Sequence, residues 1–131
     1  MKQLCSIILF AVVFLASGSY AQDQVVTSVP EIAICTSVTN RQPAGIDSVF
    51  SADVQQLTCF TKIVSQAEQS EVSHVWFYGD KQMAKIDLKV KGPSFHTWSR
   101  KTILPSWKGE WRVEVQDQAG VVLSKISFKI Q

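Results

Sequence analysis

From residue 84 to residue 91 the chain alternates without a break. Ala84, Ile86, Leu88 and Val90 are apolar; Lys85, Asp87, Lys89 and Lys91 are charged. Side chains two apart share a face only in an extended chain, so this stretch predicts a β-strand with one side in a core and one in water. The pattern recurs at Trp111, Val113 and Val115 against Arg112, Glu114 and Gln116. A turn at 117–120 follows, and then Val122, Ile126, Phe128 and Ile130 on one face. Gly79-Asp80 closes a tight hairpin after a strand at 73–78. Further strands read at 31–39, 56–65 and 94–103, separated by turn chemistry at 40–45, a polar loop at 66–71 and the Gly92-Pro93 break. Residues 48–54 fit either a short strand or one helical turn. About seven strands and no helical pattern predict an all-β chain, an antiparallel β-sandwich of immunoglobulin-like type. A small barrel is the alternative.

The first residues obey a different rule. Lys2 precedes an apolar run at 7–16 too short to span a bilayer comfortably, and Ser19 and Ala21 are small. That is the pattern of a signal peptide over 1–21, with an uncleaved anchor as the alternative. A flexible leader is expected at 22–30 and the sandwich domain at 31–131. The rest of the chain has no apolar run long enough for a transmembrane helix. It is therefore expected to be exported, to the periplasm or beyond.

Cysteine usage follows from export. Cys5 falls in the signal peptide and leaves Cys35 and Cys59, a pair in an oxidising compartment. A disulfide between them is predicted, worth about 3 kcal/mol on the chain-entropy account. Two buried free thiols, acting as small hydrophobes, are the other outcome. Charge is uninformative: 13 Lys and Arg stand against 11 Asp and Glu, with the signs interspersed. No polyanion-binding tract is visible, and no nucleic-acid partner is expected.

All four tryptophans and both histidines lie between residues 72 and 111. His74 and Trp76 share a strand face, either as a ligand-facing pair or as a core anchor, Trp76, beside a rim histidine. Ser99 with His74 or His96 and Asp87 has the composition of a nucleophilic triad. There is no G-x-S-x-G elbow and no glycine-rich segment to shape an oxyanion hole, so no catalytic residue is assigned and no enzyme is expected. Two histidines far apart do not make a metal site, and no cofactor is expected. The lysines of 85–91 read as guards against edge aggregation. Trp98 shares its face with His96 and Arg100. Trp107 sits in a Pro-Ser-Trp-Lys-Gly connection. Lys101 is a further polar landmark, either structural or ligand-binding. Each indole either stacks on a ligand such as a sugar ring or lids the open end of the sandwich. The candidate ligand-binding set is Trp98, His96, Arg100, Lys101, His74 and Trp107. Arg41, before Pro43, reads as a loop brace.

The ordered landmarks resemble a bacterial family, domain of unknown function 2914. They are Arg41-Gln42-Pro43, His74-Val75-Trp76, Gly79, Leu88-Lys89-Val90, Gly92-Pro93, Trp98-Ser99-Arg100-Lys101, Leu104-Pro105, Gly109 to Val113, Val115, Asp117, Gly120, Leu123 and Phe128. One position departs: Phe95 stands between Ser94 and His96 where family members often carry tryptophan between arginines. The resemblance implies an exported or membrane-associated β-domain with no established activity. The expected function is a non-catalytic domain that binds or scaffolds at the cell envelope, with a protein or a polysaccharide as partner. A carbohydrate-binding module using exposed tryptophan is the first alternative and a hydrolase the second.

Overall fold

The computed structural model describes residues 26–131; the expected signal peptide and the first residues of the leader lie outside them. Ten strands make up the described chain, and it contains no helix. They are β1 (Thr27–Cys35), β2 (Ser37–Thr39), β3 (Gln42–Ala44), β4 (Val49–Phe50), β5 (Gln56–Ser65), β6 (Gln69–Tyr78), β7 (Lys81–Lys91), β8 (Ser94–Thr102), β9 (Gly109–Gln116) and β10 (Val122–Ile130). The long strands are those the alternation marks out.

Two sheets face each other. One has three strands in the order β1-β5-β8; the other has five, β4-β10-β9-β6-β7. Every long pairing is antiparallel, and only the two-residue β4 runs parallel to its neighbour, β10. The constant-type immunoglobulin order places the fourth long strand beside the first three-strand group. Here that strand, β7, pairs with β6 instead, because the two-residue Gly79-Asp80 turn leaves no chain to cross between sheets.

The core lies between the sheets. Ile34, Leu57 and Cys59 come from one side; Trp76, Trp111, Val113, Phe128 and Ile130 come from the other. A smaller apolar cluster of Ile63, Val72, Val90 and Val115 continues it toward the opposite end. Burying one such side chain contributes roughly 1.5–3 kcal/mol. Phe128 meets both Trp76, edge to face with centroids 6.1 Å apart, and Trp111, stacked at 5.9 Å.

Five boundaries differ from the sequence expectation, each for a local reason. The polar loop expected at 66–71 ends early, because β6 pairs with β7 from Gln69↔Lys91 onward. The leader is shorter, because β1 pairs with β5 from Thr27↔Ser65 onward. The expected strand at 31–39 breaks at Thr36, where the chain leaves the sheet to form the β2–β3 hairpin. Within 40–45 Asn40 and Arg41 make the hairpin turn, both with positive φ (52° and 59°) as a two-residue hairpin of right-handed twist demands, Gln42–Ala44 is strand, and Gly45 bends away at φ 72°. The ambiguous 48–54 stretch holds β4, tied to β10 by Lys129 N–H to Ser48 O and Gln131 N–H to Phe50 O.

The expected disulfide is also corrected: Cys35 and Cys59 are free and buried. The register explains why. Cys59 lies opposite Ile34, and Cys35 opposite Thr58. Directly opposed residues share a face and successive residues alternate, so the two thiols leave opposite faces of the sheet. Such side chains cannot be bridged without moving backbone. Cys59 sits in the core, whereas Cys35 lies on the outer face against the backbone of Ser37 and Ala44 in the β2–β3 hairpin. Burial pushes both thiols up, which keeps them protonated and unreactive. Thiol alkylation with peptide mapping should therefore label Cys35 and Cys59 only after unfolding; a cross-linked Cys35–Cys59 peptide in the native map would contradict this register.

Candidate functional site

The six candidate residues fall in three separate places. His74 lies inside. It is on the inner face of β6 with Val72 and Trp76 and is fully buried. Its Nδ1 is 2.7 Å from Ser99 Oγ, and its Nε2 is 3.1 Å from Thr61 Oγ1. Trp76 Nε1–H donates to the same Ser99 Oγ at 3.1 Å. Thr61 donates its hydroxyl proton to Thr97 O at 3.0 Å.

These contacts admit one assignment of protons. Thr61 has a single hydroxyl proton and gives it to a carbonyl, so its oxygen must accept from His74 Nε2–H. The neutral ring then bares Nδ1, and Ser99 donates to it while accepting from the indole. The result is a directed chain: Trp76 to Ser99 to His74 to Thr61 to the Thr97 carbonyl. It runs between the sheets and leaves none of these buried groups unpaired. Protonating Nδ1 would put two donors on Ser99 Oγ and strand its own proton. Burial moreover lowers the His74 pKa from 6.5 to about 4.

A Ser–His pair is thus present, but not as part of the imagined triad. Ser99 is 4% exposed. Asp87 lies on the outer face of the five-stranded sheet, where it accepts from Ser73 Oγ at 2.6 Å. His96 lies on the outer face of the other sheet, since its neighbour Thr97 points in. The pairing of His74 with side-chain hydroxyls differs from a rim histidine bonded to carbonyls. Alternation reveals its face; only the opposing sheet reveals Thr61 and Ser99.

The second place is the outer face of the three-stranded sheet. The register lays it out in rows: Glu31–Lys62–His96, Ala33–Phe60–Trp98 and Cys35–Thr58–Arg100. Trp98, His96 and Arg100 are therefore together, as the sequence places them. Phe60 joins them. Its ring lies 5.5 Å from His96 and 6.3 Å from Trp98, nearly parallel to the indole at 17°. Phe60 is only 2% exposed although it faces away from the core, while Trp98 and His96 are half-buried and Arg100 is exposed. Sequence reasoning missed Phe60, yet alternation carried the signal. With Leu57 and Cys59 inside, Phe60 had to point out.

The third place is one end of the sandwich. Lys101 Nζ sits 5.1 Å from the Trp107 ring centroid, and Trp107 lies 6.0 Å from Trp111. Trp111 Nε1–H donates to Trp107 O at 3.0 Å. Tyr78 donates its hydroxyl to Lys108 O and packs 4.9 Å from Trp111. Trp107 therefore lids the core, and Lys101 covers the lid. Of the four indoles, Trp76 and Trp111 are buried, Trp98 and Trp107 half-buried, and the latter two do not share a face. Arg41 is exposed at the tip of the β2–β3 hairpin.

At the opposite end, a cleft of about 390 Å³ is lined by Gln69, Glu71, Lys89, Lys91 and Gln118, with Ser70 at its wall. None of the candidate residues lines it. Among the described residues no group of three metal-ligating side chains occurs.

The fold is that of an immunoglobulin-like β-sandwich, and the likenesses to solved structures are of the same fold. Residues 69–130 match the family model described as protein of unknown function (DUF2914). The matched segment runs from β6 to β10, and the match agrees with the resemblance carried by H-x-W, W-S-x-K and G-x-W-x-V-x-V-x-D. No curated protein matches the chain. Among solved structures it is similar to a β-glucosidase from Erythrobacter marinus, with 5% identity and a TM-score of 0.55. The likeness covers 82% of this chain and 16% of that one. A β-glucosidase from Listeria innocua is similar at 9% identity and a TM-score of 0.50, over 85% of this chain and 17% of that one. Both likenesses are of fold alone and span under a fifth of the larger protein.

His74 sets a pH dependence. Its folded pKa is depressed, so the unfolded chain binds the extra proton between about pH 6.5 and 4. Stability is full above that window and falls as pH drops through it, by roughly 3 kcal/mol in all. Urea unfolding across this range should show the loss, and His74→Gln should flatten it; an unchanged slope would contradict the assignment.

Proposed function

We propose that this is a non-catalytic binding or scaffolding domain of an exported protein, acting at the cell envelope, and that it meets its partner with the outer face of β5 and β8. The observation that carries the reading is the half-buried pair Trp98 and His96, seated on the buried Phe60 ring with the exposed Arg100 beside them, on the outer face of the sheet. Aromatic rings beside an arginine are the side chains that supply most of the binding energy at interfaces. Export is supported by the signal-peptide pattern of the first 21 residues. Support for a non-catalytic role comes from the core. The Ser99 hydroxyl and both His74 nitrogens spend their hydrogen bonds on each other and on Trp76 and Thr61.

One feature supports a polysaccharide as the alternative to a protein partner. The half-buried Trp98 indole is flanked by His96 and Arg100, which suits stacking on a sugar ring with hydrogen bonds at its edge. Binding to purified envelope polysaccharide and to envelope protein fractions separates the two partners. In either case Trp98→Ala should weaken retention about tenfold, the loss of a contact of about 1.4 kcal/mol. Lys125→Ala, on the outer face of the opposite sheet, should leave it unchanged. Equal retention by Trp98→Ala with an unaltered unfolding midpoint would overturn the reading, as would a turnover that Ser99→Ala abolishes.

A further inference from the structure

The two sheets present four edges, and three are guarded. β4 has two residues and covers only the end of β10, whose remaining edge carries Lys125 and a register shift between Val122 and Ser124. β7 carries Lys81, Lys85, Lys89 and Lys91, and its pairing shifts between Trp76 and Phe77. β1 contains Pro30 and a register shift between Ser28 and Glu31. Short strands, lysines, proline and bulges are the usual means of keeping foreign strands off a sheet. β8 has none of the last two and is not short. It pairs with β5 from Ser94 to Thr102 without a shift.

The register also says which backbone groups of β8 are open. Ser65 N–H donates to Pro93 O at 3.0 Å, and Ile103 N–H donates to Gln55 O at 2.9 Å. Both contacts continue the β5–β8 register beyond its two ends. Hydrogen-bonded and non-bonded residues alternate along an antiparallel pair. Phe95, Thr97, Ser99 and Lys101 therefore turn their backbone groups toward β5. Ser94, His96, Trp98, Arg100 and Thr102 turn theirs toward the open edge. The Thr102 carbonyl is taken by Lys101 Nζ at 3.2 Å. The open run is centred on His96, Trp98 and Arg100, the same residues whose side chains form the aromatic and cationic outer face.

We propose that β8 accepts an extended segment of another polypeptide as an added strand, hydrogen-bonded to the backbone of His96, Trp98 and Arg100. The proposal rests on the reading of this face as the binding surface and names the partner class. Two side chains of the added strand, two positions apart, would face outward beside Trp98 and Arg100. Aromatic or β-branched residues pair favourably with an indole across strands, and a carboxylate with a guanidinium. Arg100 is exposed, and the one ion pair among the described residues is Arg112–Glu114 on the other sheet. A second copy of β8 is a poorer occupant, because Ser94–Thr102 contains no acidic residue to meet Arg100.

The probe is an end-capped octapeptide, Thr-Val-Thr-Glu-Thr-Tyr-Thr-Val, whose glutamate and tyrosine meet Arg100 and Trp98 in antiparallel addition; it is added to the protein while amide exchange is followed by NMR. At ten times its dissociation constant, exchange of the His96, Trp98 and Arg100 amides should slow about tenfold. The amides of Thr97 and Ser99, held by β5, should not change. Methylating the peptide's alternate backbone nitrogens on the bonding side should abolish the effect. Replacing its glutamate by lysine should weaken it, and Arg100→Glu should invert that ranking. Absence of slowing at millimolar peptide overturns strand addition. If Trp98-dependent retention on polysaccharide persists in that case, the binding face stands and only the partner class falls. Concentration-dependent protection of the same amides without peptide overturns it in favour of self-association.

Discussion

The hydrogen-bond chain from Trp76 through Ser99, His74 and Thr61 to the Thr97 carbonyl is the constraint on which the arrangement of this sandwich depends. Apolar packing alone tolerates sliding of one sheet over another, because one methyl is much like the next. Buried polar groups do not. Leaving one unpaired costs about 1–3 kcal/mol, and each member of this chain has only one way to be satisfied. β6 supplies the indole and the imidazole; β5 and β8 supply the hydroxyls. Shifting either sheet by one residue would strand several of these groups at once.

The same constraint shapes the surface. Pinning Thr97 and Ser99 inward forces His96, Trp98 and Arg100 outward, since neighbours on a strand take opposite faces. Pinning Thr61 inward does the same for Phe60 on β5. The aromatic outer face is thus fixed by polar groups behind it, and it is held on a regular, unbulged strand pair. A rigid presentation of this kind lowers the entropic cost of binding. At one end of the core Trp107 and Lys101 close over Trp111, so the apolar interior is sealed without contributing to that face.

Much of this was legible in the residues. Strict alternation at 84–91 and 111–116 gives strands, inner faces and the outward lysines directly. Trp98, His96 and Arg100 could be grouped because their positions differ by two. What alternation cannot give is register between strands distant in sequence. Cys35 and Cys59 look like partners until the Cys35↔Thr58 pairing sends them to opposite faces. His74 could be placed on a face but not matched to Thr61 and Ser99, which arrive from the opposing sheet. Thr27–Pro30 lacks any pattern of its own and becomes strand because β5 offers it a ladder. The Val49–Phe50 strand exists only because β10 lies beside it.

The nitrogen shifts of the His74 ring test the central claim most directly. Two-dimensional NMR correlating ring carbons' protons with Nδ1 and Nε2 distinguishes the tautomers and the cation. A neutral ring protonated at Nε2 and bare at Nδ1, persisting down to about pH 4, is the result this account predicts. A ring protonated at Nδ1, or a cation at neutral pH, would contradict it, because the directed chain through Ser99 and Thr61 would then be impossible.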